Sequence, residues 1–325
     1  MSTGFTTYTL RRIFLAIPTV LCIILVTFLL VNLAPGDPVD ILAGGSGATP
    51  EYYTMMRKKL GLDRPLWVRI STYFTEIARG NLGYSMIYRE PVIKIIFDRA
   101  PATILLGLTA ITIATFGGIL IGAVQASWPN TIWDFIGMLL AVIGYSIPLF
   151  WLGQILILVF AVNLNWLPIS GMHQLRTNLS GIPALLDTFR HLVLPAITLS
   201  MYHLALIARL TRSSLSEVIG KDYITTAISK GLSTKSVLLK HALRNALMPV
   251  LTATGMNVGF MFAGSVLTET VFGWPGVGRL MYQALLQRDY SLLSGIFLMV
   301  AITIVIANLL TDIAYSVLDP RIRLD

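Results

Sequence analysis

Few side chains in this sequence stand where they could hold a metal or break a bond. Its four histidines, His173, His191, His203 and His241, lie 18, 12 and 38 residues apart, without metal-ligand spacing, and each reads as a hydrogen-bonded residue near an interface. KGLSTKS, residues 230–236, imitates a phosphate-binding loop but does not complete G-x-x-x-x-G-K-[ST], so no nucleotide cradle is expected in this chain. Cys22 stands alone, which excludes an internal disulfide framework and a thiolate metal cluster. No nucleophile and base form a recognisable pair. Asp134, Glu269 and Asp312 fall at the edges of apolar runs, where an interfacial or interhelical hydrogen bond is their ordinary use. None stands in mid-membrane, where proton-coupled carriers place such groups; coupling to Na⁺ through backbone oxygens stays open.

The elements that hold these groups are long and oily. Apolar and aromatic residues make up 55% of the 325 residues and charged ones only 12%, against roughly 25% charged in soluble domains. A helix needs roughly 20 predominantly apolar residues to cross the hydrocarbon. Six runs qualify: 13–33, 103–126, about 135–162, 192–208, 246–268 and 290–311. The first follows Arg11 and Arg12 as a signal peptide would. Its 21 residues exceed the roughly 7–15 of such a peptide's apolar region, and NLAPGDP offers no A-x-A cleavage site, so it reads as a retained anchor. The expected fold is an all-α integral membrane protein of six transmembrane helices.

Positive residues set the expected orientation. Arg209, Arg212, Lys221, Lys230, Lys235, Lys240 and Arg244 outweigh Glu217 and Asp222 in the 209–247 segment, and Arg321 and Arg323 follow the last run. The positive-inside rule places this segment and both termini in the cytoplasm. The net charge of +8 is therefore a membrane-sidedness signal, and no nucleic-acid partner is inferred from it. The plan is an N-terminus with first span (1–33), an extracytoplasmic helical domain (34–100) and a five-helix permeating core (101–325). That core carries the cytoplasmic loop 209–247 and an outer loop 269–289. In the outer domain, PEYYTMMRKKLGL reads as a helix stopped by Gly61 and PLWVRISTYFTEIARG as one ended by Gly80; no strand pattern is convincing there.

One short amphipathic piece, DYITTAISKGL at 222–232, interrupts the oily sequence on the inner side. Asp222 is the expected N-cap and Gly231 the stop, with Ile224, Ala227, Ile228 and Leu232 on one face. Isolated helices shorter than about 12–15 residues are marginal, so this one needs a surface to lie on. The plain alternative is an interfacial helix on lipid headgroups.

DYITTAISKGL followed by KHALRNALMP resembles the cytoplasmic EAA loop of ABC-importer permeases, in which Glu-Ala-Ala precedes a Gly and an Ile-x-Leu-Pro group follows. Ala227, Gly231 and Leu243 match; Thr225, Thr226, His241 and Arg244 depart from it. HALRNA is similar to the variant in the dipeptide, oligopeptide and nickel permease branch. Further matching blocks are APGDP, LGLDRPL, GNLGYS, GYSIP, HLVLPAITL, TETVFGWPGVGRL, RDY and DPRIR, in the family's order along the whole chain.

That resemblance implies a type I ABC-importer permease, multi-pass in a bacterial or archaeal cytoplasmic (inner) membrane. Its implied partners are a homologous second permease, two cytoplasmic ATP-binding subunits and an extracytoplasmic solute-binding protein. ATP and Mg²⁺ would be held by the ATPase subunits, with no cofactor in this chain. The solute class implied is a di- or oligopeptide or a related small solute; the alternative reading is an ion-coupled secondary carrier working without ATPases. Coupling is expected at Asp222, Tyr223, Ala227, Gly231 and Leu232, with His241, Arg244 and Asn245 bracing the next helix.

Candidate pathway residues are Pro148, expected to kink the third span, Gly255, Asn257, Gly259 and Gly264 of the fifth, and Glu269. The Gly-x-x-x-Gly spacing at 255–259 reads first as close helix packing, within the chain or against the second permease. Phe272, Trp274 and Pro275 are candidates for the entrance and for docking the binding protein, beside the plainer reading of Trp274 as an interfacial anchor.

Overall fold

Apolar runs with few interruptions fold here into helices longer than the runs themselves. In the computed structural model, which describes residues 2–33, 39, 49–59, 61–174, 179–233 and 236–318, α1 spans Ser2–Leu33. Two short helices follow, α2 (Pro50–Lys59) and α3 (Leu66–Ala78). The hairpin strands β1 (Tyr84–Ser85) and β2 (Glu90–Pro91) then lead into α4 (Val92–Ser127). A bent pair, α5 (Ile132–Ser146) and α6 (Leu149–Leu156), continues as a π-helical segment Ile157–Asn163. Next come α7 (Ile182–Ile219) and the short α8 (Asp222–Ser229). A second π segment, Val237–Ala242, opens α9 (Leu243–Val271), followed by α10 (Val277–Leu286) and α11 (Tyr290–Leu318). APGDP and DPRIR lie outside the described residues.

Among the described residues three helices, α4, α7 and α11, are long and apolar enough to cross a membrane, and the bent α5–α6 pair makes a fourth if it is one span. α4 and α7 have 36 and 38 residues, hence lengths of about 54 and 57 Å, so both project well beyond a hydrocarbon layer about 30 Å thick. Their projecting ends carry the two sites of interest.

α4 and α7 form the most extensive helix pair. Gly118 and Gly122, four residues apart on α4, make it possible. A Cβ on Gly118 would lie 2.9 Å from the Leu204 carbonyl oxygen, and one on Gly122 would run into the Ala208 carbonyl. This is the small-x-x-x-small crossing, in which missing side chains let backbones meet. Gly255 works the same way: a Cβ there would collide with Thr311 of α11, so this glycine serves a crossing inside this chain. Asn257, Gly259 and Gly264 lie on α9, with side-chain surroundings outside the described part.

The expected kink at Pro148 is a full break. Ile147 (φ −79°, ψ 126°) and Pro148 (φ −60°, ψ 131°) are extended, and the helix axis turns by 107°. Proline drives its predecessor out of the helical region and brings no N–H of its own, which accounts for both.

In the 49–80 segment α2 and α3 stop where the sequence indicates, at Gly61 (φ +65°) and Gly80 (φ +78°). The hairpin was not expected, because two strands of two residues carry no alternation to read. It is fastened by Ser85 Oγ donating to the Asp289 carboxylate, whose other oxygen accepts the Leu292 N–H at 3.1 Å at the start of α11. Beneath it Val92, Ile95 and Ile96 pack with Leu280, Leu292 and Ile296 in a buried cluster.

Candidate coupling site

α8 sits across the C-terminal ends of α4 and α7 and the N-terminal end of α9. Ile224 and Ala227 are buried with Ala126, Leu215, Val237, Ala242 and Ala246. Burying Ile224 contributes about 1.5–3 kcal/mol, enough to seat a helix too short to persist alone. Asp222 is not the cap. The N-cap position is Lys221, without a side-chain cap bond, and Asp222 is the first helical residue, where its charge favours the positive end of the helix. Lys221 instead pairs with Glu217 at 2.9 Å. That hydrogen bond holds the Glu217 carboxyl below its ordinary pKa and raises that of Lys221.

The other end closes as the sequence indicates. Gly231 has φ +76°, its N–H donates to Ile228 O at 2.9 Å, and the Leu232 N–H reaches back to Ala227 O at 3.4 Å. This is the Schellman arrangement, which needs a left-handed residue at Gly231 and normally folds the next apolar side chain onto the helix. Here Leu232 stays 41% exposed, beside Ile228 at 58% and Tyr223 at 42%. The expected single stripe is therefore divided: Ile224 and Ala227 face the bundle, while Ile228 and Leu232 are left exposed.

Asn245 Nδ2 donates to Tyr223 Oη and to the His241 carbonyl, both at 3.1 Å. α8 is thus tied to the first turn of α9, and three of the sequence-selected residues meet in one linkage. His241 belongs to the π segment, and Arg244, on α9, is exposed. Behind them Arg212 grips Asp134 through two bonds, Nε–Oδ1 at 2.7 Å and Nη2–Oδ2 at 2.8 Å, and the Asn130 N–H also donates to Oδ2. Arg212 therefore joins α7 to the start of α5; it is more than a membrane-sidedness charge. Arg209 lies 5.7 Å from the Tyr145 ring centre, which is cation–π distance.

The family model described as "Binding-protein-dependent transport system inner membrane component" matches residues 118–324, and the N-terminal model of the same system matches residues 5–107. The chain belongs to this family. It is 42% identical to the dipeptide transport system permease protein DppB of Escherichia coli, over 97% of this chain and 98% of that one. It is 42% identical to the di/tripeptide transport system permease protein of Pseudomonas aeruginosa, covering 96% and 97% respectively. A glutathione transport system permease protein of Salmonella typhi is 39% identical, covering 97% and 98%. In fold, the permease is similar to a solved inward-facing structure of the MetNI methionine ABC transporter: TM-score 0.56, 16% identity, 69% of this chain and 96% of that one. The protein is thus a permease subunit of an ABC importer, and ATP hydrolysis occurs in separate ATPase subunits.

At the opposite end of the permease lies a second polar construction. Glu269 is fully buried; Thr103 Oγ1 donates to its Oε1 and the Arg279 N–H to its Oε2, each at 2.8 Å. Thr103 Oγ1 in turn accepts the Val277 N–H at 2.8 Å. Trp274, 0% exposed, donates from Nε1 to the Ala102 carbonyl at 2.8 Å, and Phe272, 2% exposed, packs with Ala161 and Leu194. Neither ring is presented to an outside protein, which corrects the idea of both as docking residues. Neither is an interfacial anchor: the 273–276 turn folds them inward, and Pro275 is left at the surface of a cavity. Glu269 likewise braces α4, α9 and α10 and does not face an open channel within this chain. The sequence offered one missed clue, since a buried carboxylate needs donors and the glycines at 276 and 278 leave it room.

Proposed function

We propose that this permease passes di- or oligopeptides across the inner membrane as one half of a heterodimeric channel, and that α8 is its seat on an ATPase subunit. The observation that carries the coupling reading is the divided helix. Its buried half, with the Tyr223–Asn245 bond, fixes it to α4, α7 and α9, and its exposed part presents Ile228 and Leu232. A lever needs both a firm mounting and a free contact face. Peptide as the cargo is supported by the relatives, which transport dipeptides, tripeptides or glutathione by name.

The proposed topology has six spans: α1, α4, the bent α5–α6 pair, α7, α9 and α11, with both termini and the 209–247 loop in the cytoplasm. In the assembly we infer two ATPase subunits, which hold ATP and Mg²⁺, a homologous second permease and an extracytoplasmic binding protein. The pathway would run between the permeases, with the break at Pro148 and the glycines of α9 near it. Reconstitution tests this reading. ATP inside liposomes should drive peptide uptake only with the partner subunits and binding protein present, and uptake by this chain alone on an ion gradient would contradict it.

A further inference from the structure

We propose that Arg99 anchors a carboxylate-recognising site at the end of the permease opposite α8, and that it takes the C-terminal carboxylate of a short peptide entering the pathway. This rests on the peptide-importer reading. Arg99 stands on α4, 27 residues before Ala126, which lies under α8; the intervening helix is about 40 Å long. Two cavities meet at it. The larger, about 590 Å³, is bounded by Tyr88, Glu90, Asp98 and Arg99, and the smaller, about 220 Å³, by Arg99, Arg279 and Gln283; Pro275 borders both.

Arg99 is half-buried, and among the described residues none pairs with its guanidinium. Its half-buried guanidinium, open to both cavities and unpaired there, is available to an anion. Its planar fork suits a carboxylate gripped by two parallel bonds. Arg279 differs, because its Nη1 donates to the Gly273 carbonyl at 2.5 Å and holds the turn. Asp98 lies on the same cavity and gives the ammonium end of a zwitterion a counter-charge, whereas Glu90 is bound to Lys94 at 2.8 Å. The larger volume falls within the roughly 300–1,000 Å³ of small-molecule sites, which fits a short peptide better than a protein lobe.

The test uses the importer purified with its partner subunits, reconstituted in liposomes with its binding protein, and assayed for Ala-Ala uptake. Arg99→Gln should lower uptake about tenfold or more, the scale of a lost charge-assisted hydrogen bond. Docking of the peptide-loaded binding protein and retention of the ATPases should stay at wild-type levels. Arg99→Lys, keeping the charge without the fork, should recover part of the loss. Unchanged uptake in Arg99→Gln overturns the site, as does tenfold weaker docking of the binding protein, which would make Arg99 a contact for that protein. A wild-type importer that moves no peptide overturns the site and the peptide reading together, whereas peptide uptake indifferent to Arg99 overturns the site alone.

Discussion

The two ends of the permease use their side chains in opposite ways. At the end bearing the α9–α10 turn, the rings of Trp274 and Phe272 are drawn inward with Glu269 holding the turn from beneath, and Glu90, Asp98, Arg99 and Arg279 are among the groups left around the cavities. At the α8 end the polarity is reversed, and Ile228 and Leu232 are exposed on a helix whose inner face is already satisfied. Under the proposals above, one end receives a polar solute and the other is gripped by a protein.

Substitutions can sharpen this contrast, beginning with the largest expected loss of stability. Trp274→Ala removes a fully buried ring and a hydrogen bond, and should destabilise the permease by about 3–5 kcal/mol, read as a lower melting temperature of the purified protein. A small shift would mean that the turn is not part of the core. Asp134→Ala should cost about 1–3 kcal/mol, less than a buried pair because Arg212 is 41% exposed. A double-mutant cycle with Arg212→Ala checks it, and additive losses would show that the pair contributes nothing. Tyr223→Phe should cost about 0.5–1 kcal/mol by freeing Asn245, with α8 still seated by Ile224.

The Glu217–Lys221 pair should matter least. Because the carboxyl's folded pKa is depressed, its stabilisation is present above the unfolded pKa and fades as pH falls through the folded value. Glu217→Gln should remove only that faint acid dependence from a stability–pH titration. A marked loss at neutral pH would show that the pair is needed to hold α8.

Much of the α8 end was legible because its signals are local. Gly231 ends a helix by its own backbone freedom, and the Schellman closure follows from Gly-Leu at 231–232. The division of the apolar stripe was not legible, since periodicity puts Ile224 and Ile228 on one face without saying how much of it the bundle covers. The opposite end resisted reading for a different reason. Trp274 and Glu269 are held by partners more than 160 residues away, Ala102 and Thr103, and no local pattern announces a bond of that span. Gly118 and Gly122 carried the same spacing that drew notice at 255–259, yet lay unnoticed in an oily run. Asp134 looked like an ordinary edge carboxylate because its partner Arg212 comes two helices later.

The coupling claim is tested most directly by one crosslink. With Cys22 replaced, Ile228→Cys supplies a single thiol on the outward face of α8, and a short bifunctional reagent is applied to the importer isolated with its partner subunits. The account predicts a covalent product with an ATPase subunit whose yield changes when ATP is bound. A thiol that reacts with reagents partitioned into lipid and gives no product with any ATPase would contradict it.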